Sequence, residues 1–335
     1  MTIGFDKRLE LLYGILYCVN KDMNNTINPG LFIEEMPTYC NEFYELYKKV
    51  GISDEFIELI KNHGINSSYA APAVMALSLD ENYNIIENNS LLEMVVKNNP
   101  YYDKEKIERN IKEFVEKSNY ETFYQEHSDF YKNIVEEYKK SMSEFNVFNE
   151  NVFEEFYGYK LGEMKINLYN FTTGSSGLLI GDKHYYNQRV DNINEDENNF
   201  KFKIKLNNIF HEFSHPYITP LVENFCSNLN LDNLYMEVKK SESYTNAYQE
   251  LTQSYKILHE YIVRSIALYL QKKYDSKENI ENRIEKEKKN GFIHVDEIAS
   301  IMDDRTNYNN FEEFFKNELI PYFIQLNNNM KTKSR

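Results

Sequence analysis

The stretch Asn207-Asn208-Ile209-Phe210-His211-Glu212-Phe213-Ser214-His215 decides how this chain is read. Four residues apart on a helix, the imidazoles of His211 and His215 fall on one face about one turn apart, close enough to share a tetrahedral zinc ion. Glu212 follows the first histidine and is placed to act as general base toward a water at the metal. Ile209, Phe213 and Ser214 are uncharged, as a buried catalytic helix requires. The alternation Phe202, Ile204, Leu206 predicts a strand leading into the helix. Pro216 removes the N–H that would bond the Glu212 carbonyl, and with Pro220 it predicts a helix that kinks or stops soon after His215. The competing reading is a surface helix with two incidental histidines.

Zinc needs a third protein ligand and an open position for water. Glu223 lies eight residues beyond His215, about 12 Å further along a continuing helix, which is too far. Glu260 is the better candidate. It stands in Ile257-Leu258-His259-Glu260-Tyr261-Ile262-Val263-Arg264-Ser265-Ile266-Ala267-Leu268-Tyr269-Leu270, where His259, Glu260 and Arg264 are the ionisable breaks apart from the tyrosines. A helix apolar nearly all round is a buried helix, and a carboxylate on it must be paired or bound to a metal. Arg264, one turn on, is expected either to orient Glu260 or to face the substrate. A buried Glu260–Arg264 salt bridge without zinc is the alternative. His259 points about 100° away around the helix and reads as structural.

Outward from these two segments the chain reads as α+β and predominantly α-helical. The periodicity predicts helices over 5–19, 41–50, 53–62, 71–79 and 103–117, and an aromatic-rich helical segment over 120–145. Gly64 is expected to cap a helix after His63. Phe123, Phe130, Tyr131 and Tyr138 read as core and not as a platform for bases. The texture changes near residue 160. Met164–Phe171 alternates as a strand, Gly174-Ser175-Ser176-Gly177 reads as a turn, and Leu178-Leu179-Ile180 as a second strand. Helices resume from about Asn207, and 273–289 reads as a solvated, charged helix face. These changes divide the chain into a helical portion, 1–155, and a second portion, 156–330.

Composition excludes several classes. With 41% hydrophobic and 15% aromatic residues a sizeable core can be buried. A net charge of −15 argues against nucleic acid, because binding phosphate needs clustered Lys and Arg. Cys18, Cys40 and Cys226 form no C-x-x-C pair, so neither a disulfide framework nor a thiolate zinc site is indicated. They read as reduced and buried thiols. No apolar run is long enough to span a membrane, and the first ten residues lack the apolar segment of a signal peptide, so no membrane partner and a cytoplasmic location are expected.

Two histidines, with a glutamate on a second helix 45 positions after His215, resemble the gluzincin branch of zinc metallopeptidases. More closely, the chain resembles an uncharacterised group of bacterial proteins that carry a domain of unknown function with an H-E-F-x-H motif. Asp6–Leu12, Gly64–Pro72, His211–His215 and His259–Arg264 carry that likeness, followed by Gly291-Phe292-Ile293 and Phe311–Phe315. The resemblance implies a zincin-like catalytic portion with a small sheet beside the active-site helix. It also implies a Zn2+ cofactor held by His211, His215 and Glu260, with Glu212 as base. The reaction expected is hydrolysis of a peptide or protein substrate, most simply as an endopeptidase. Gluzincin aminopeptidases bind the substrate amino terminus through G-x-M-E-N, whereas this chain has Gly162-Glu163-Met164-Lys165-Ile166. A second oxyanion donor is expected among Tyr69, His184, Tyr261, Arg264 and His294. A zinc amidohydrolase acting on a small molecule and a non-catalytic protein with a structural zinc are the rival readings.

Overall fold

The computed structural model describes residues 1–24, 37–62, 70–145, 149–171, 175–190, 201–241, 253–275 and 279–333. They fall into two compact units interleaved in sequence, 1–144 with 163–204, and 145–162 with 205–335. The fold is α+β and predominantly helical, with a four-stranded mixed sheet among the described residues. Residues 163–190, expected in the second portion, group with the N-terminal helices, because their sheet includes the first strand of the chain.

In the first unit, strand β1 (Thr2–Phe5) leads into helix α1 (Lys7–Asp22). The helix begins later than expected because Asp6 caps it, its side chain accepting from the Arg8 backbone N–H. Helices α2 (Pro37–Val50), α3 (Asp54–Lys61), α4 (Ala70–Leu77), α5 (Ser90–Asn98) and α6 (Lys104–Ser118) follow. The aromatic segment is two helices, α7 (Tyr120–Glu126) and α8 (Ser128–Ser143), broken at His127. That imidazole is tied to the Phe123 carbonyl at 2.8 Å and to Glu42 at 2.7 Å. Phe123, Tyr131 and Tyr138 are buried, and Phe130 stacks on Tyr39 with ring centroids 5.0 Å apart, so these rings are core. Gly14 of α1 lies against the Phe43 ring of α2, where a Cβ would meet ring carbons at 2.5 Å, so α1 and α2 approach through the glycine.

The sheet order is β1-β2-β4-β3, with β2 (Glu163–Tyr169), β3 (Ser175–Ile180) and β4 (Lys183–Arg189). β2 runs parallel to both β1 and β4, and β3 is antiparallel to β4. Ser175, Ser176 and Gly177 belong to β3 and not to a turn. The hairpin closes instead at Gly181-Asp182, where Gly181 takes φ +61°, the left-handed conformation such a turn demands. β4 escapes a reading by hydrophobic alternation because consecutive residues, His184 to Asn187, are buried and two of them are polar; Asn187 accepts from Asn167 on β2 at 2.8 Å. Gly64 and Tyr69 lie outside the described residues.

The second unit holds helices α9 (Asn151–Tyr157), α10 (Leu206–Cys226), α11 (Asp232–Lys239), α12 (Ile257–Tyr274), α13 (Ile280–Lys289) and α14 (Val295–Ile301), and a C-terminal helical run from Phe311 to Lys333. Two expectations about α10 and the residues before it fail. Phe202 and Ile204 form no strand of the sheet, and Leu206 is already the first residue of α10. α10 does not end after His215 but runs through Pro216 and Pro220 for 21 residues. An internal proline costs about 3 kcal/mol. Against two of them stand the buried side chains of Tyr217, Ile218, Leu221 and Val222, each contributing about 1.5–3 kcal/mol. Tyr217 also stacks on Tyr157 of α9 with centroids 3.8 Å apart. Packing therefore outweighs propensity. α12 is the buried helix that its sequence predicts, with Ile257, Leu258, Tyr261, Ile262, Val263, Ile266, Ala267 and Leu270 all in the core.

Glu10 of α1 is fully buried and accepts from the backbone and side-chain amides of Asn170. Burial pushes its carboxyl up to about 7, against the hydrogen bonds from Asn170 and Tyr39, which pull it down. Between pH 4.5 and about 7 the folded state keeps a proton that the unfolded chain has released. Stability therefore falls as pH rises through that window, and above it the full cost, on the order of 3 kcal/mol, is present. Glu10→Gln should raise the melting temperature at pH 8 and lose most of that advantage at pH 5, as measured by thermal unfolding. An equal difference at both pH values would show that Glu10 does not carry the effect.

Candidate metal centre

α10 and α12 pack along each other in antiparallel register, which the cross-contacts define. His211 and His215 of α10 meet Glu260 of α12, whereas Thr219 and Glu223, further along α10, meet His259. The Nε2 atoms of His211 and His215 stand 3.1 Å apart. Nε2 of His215 is 3.6 Å from Oε1 of Glu260, and Nε2 of His211 is 3.9 Å from Oε2. One ligand atom from each of the three residues lies within 4.8 Å of the others, the arrangement able to hold a metal ion among the described residues. Ligands 2.0–2.2 Å from a common tetrahedral centre stand about 3.3–3.6 Å apart. The donor set suits zinc in its chemistry, and the separations of 3.1, 3.6 and 3.9 Å bracket that range.

The electrostatics favour the ligand forms. Burial holds the His211 imidazole well below its ordinary pKa, against the pull of Glu260 in the other direction, so the ring is neutral and offers a lone pair. Glu260 is 5% exposed. Its Oε2 accepts from Nε of Arg264 at 2.9 Å, one turn along α12. Arg264 in turn donates from Nη1 to Glu287 at 2.5 Å, and Arg283 pairs with the other oxygen of Glu287 at 2.8 Å. The Arg264 guanidinium lies over the Phe292 ring, 4.4 Å from its centroid. Two carboxylates and two guanidiniums thus alternate from α13 to the metal set, and Arg264 orients Glu260. Arg283 and Glu287 were not singled out in the sequence, where 273–289 reads as a solvated face. Glu287 is in fact 2% exposed. The available signal was the spacing of four between Arg283 and Glu287, indistinguishable from ordinary surface pairs.

The remaining expected groups are dispersed. Glu212 is half-buried on α10, next to His211. The Tyr261 hydroxyl is buried and donates to the Gly291 carbonyl, and His294 contacts Glu297. His184 lies on β4, in the first unit. Glu223 is engaged by His259 and Tyr255. Cys226, the thiol nearest in sequence, is buried at the end of α10. No helix among the described residues is long and apolar enough to cross a membrane.

Purified protein should carry about one zinc per chain, and His211→Ala or His215→Ala should abolish it. Arg264→Lys keeps the charge but loses the planar fork, and should weaken zinc binding by roughly 10–100-fold. Elemental analysis and chelator competition read both effects. Full occupancy in both histidine variants would remove the metal from this position.

No curated protein and no solved structure matches the chain. A family model, described as a domain of unknown function (DUF4932), matches residues 38–321. That span holds α10, α12 and all three members of the metal set, and on it the chain belongs to the DUF4932 family.

Proposed function

We propose that the protein is a zinc-dependent hydrolase of peptide bonds, most simply an endopeptidase of gluzincin type. The observation that carries this reading is the convergence of His211, His215 and Glu260 from two helices, with Glu212 beside the first ligand. A structural zinc is closed by four protein ligands, whereas a catalytic one keeps a position open. The cluster among the described residues has three members, and its two imidazole side chains retain 16% and 23% exposure. Both features favour the catalytic alternative.

His211, His215 and Glu260 would hold the ion, which when bound supplies Lewis acidity toward water and a carbonyl oxygen. The chain's own residues do the rest. Arg264 donates to Glu260 and orients it, and burial keeps His211 neutral. Glu212 accepts the proton that water loses as its oxygen bonds to the carbonyl carbon. It then returns that proton to the leaving nitrogen as the carbon–nitrogen bond breaks, so protons balance over the cycle.

Glu212→Gln preserves size and all three ligands. Zinc content should be unchanged, and Glu212-dependent cleavage of a mixture of unstructured peptides, followed by mass spectrometry, should fall about 10²–10⁴-fold. Equal cleavage by the variant and the parent would dismiss Glu212 as the base.

A further inference from the structure

The polar face of α10 does not end at the metal set. His211, His215, Thr219 and Glu223 recur every four residues, and the turns beyond His215 carry a second cluster. Nε2 of His259 contacts Oε1 of Glu223 at 3.2 Å, and its Nδ1 lies 3.4 Å from the Thr219 hydroxyl. A carboxylate can only accept, so Nε2 carries the hydrogen and Nδ1 is left to accept from Thr219. The other oxygen of Glu223 accepts from the hydroxyl of Tyr255, itself buried, at 2.7 Å. Glu223 is thus fixed at both oxygens, yet its side chain remains 44% exposed. An exposed glutamate ordinarily swings freely; this one is aimed.

We infer that Glu223 is a substrate-recognition group that binds a cationic centre, an ammonium or guanidinium, on the molecule whose reacting bond lies at the His211–His215–Glu260 set. The inference rests on the hydrolase reading above. Eight residues of helix separate His215 from Glu223, about 12 Å of rise, and both side chains lean the same way along the helix, so that offset is kept between the two clusters. The interval corresponds to three or four residues of extended peptide, each spanning about 3.3–3.6 Å. His259 precedes the ligand Glu260 on α12, so both clusters are registered by the same pair of helices. The cation has two sources, a Lys or Arg side chain near the reacting bond or the peptide's own amino terminus. The net charge of −15 favours the approach of either.

The test uses the zinc-loaded full chain and short peptide hydroxamates, which bind whether or not peptides are cleaved. One series carries lysine or norleucine at each of three positions, and each member is made with a free or acetylated amino terminus. Calorimetry should show about tenfold tighter binding of a cationic member over its neutral partner, as a charge-assisted hydrogen bond gives at a partly exposed site. Glu223→Gln should erase that preference while binding the neutral members as the parent does. A preference that follows lysine assigns a side-chain subsite, and one lost on acetylation assigns the amino terminus. Equal affinities across the series, or a preference that survives Glu223→Gln, overturns the inference. Glu212→Gln separates the two claims: Glu212-dependent cleavage without any cationic preference sinks Glu223 alone, and a Glu223-dependent preference without cleavage sinks the hydrolase reading alone. Failure of every hydroxamate to bind sinks both.

Discussion

Glu260 places a carboxylate on a helix that is otherwise given over to the core. An isolated ionised carboxylate cannot be buried there without several kcal/mol of penalty, so its surroundings must supply positive charge. Arg264 supplies it on one side, at 2.9 Å, and is itself held by Glu287 and Arg283. On the other side stand two imidazoles, and burial disfavours the charged, doubly protonated form of His211. Imidazole nitrogens and carboxylate oxygens thus face one another at 3.1–3.9 Å. On the function proposed above, a divalent cation would bridge them, and zinc suits two nitrogen donors and one oxygen donor.

The helix pair that presents these groups gains its register from packing. α10 carries two prolines in its second half, yet its buried residues and the Tyr157–Tyr217 stack keep it continuous to Cys226. Had the helix ended near His215, Thr219 and Glu223 would not continue the row begun by the two histidines. The same continuity that preserves the metal set therefore also lays a fixed carboxylate beside it.

How much of this was legible in the sequence varies with the range of the interaction. His211, Glu212 and His215 follow from spacing on one helix, and Glu260 and Arg264 stand out as ionisable breaks in an apolar run. The predominantly helical α+β class was legible for the same reason, since periodicity is local. What escaped depends on partners distant in the chain. β1 is a four-residue strand whose partner lies some 160 residues away, and β4 is a central strand with buried polar positions. Glu287 is buried only because Arg264 and Arg283 reach it. By propensity the prolines of α10 end the helix early, and the packing of its second half outweighs that preference. His259, read as structural from its direction around α12, gains its interest from Glu223 on a different helix.

The most direct measurement is X-ray absorption at the zinc edge of the metal-loaded protein. Zinc held by His211, His215 and Glu260 should show a first shell of nitrogen and oxygen donors at about 2.0–2.2 Å, with the outer-shell scattering of two imidazoles and no sulphur. A sulphur shell at about 2.3 Å, or a shell without imidazole scattering, would contradict that ligand set.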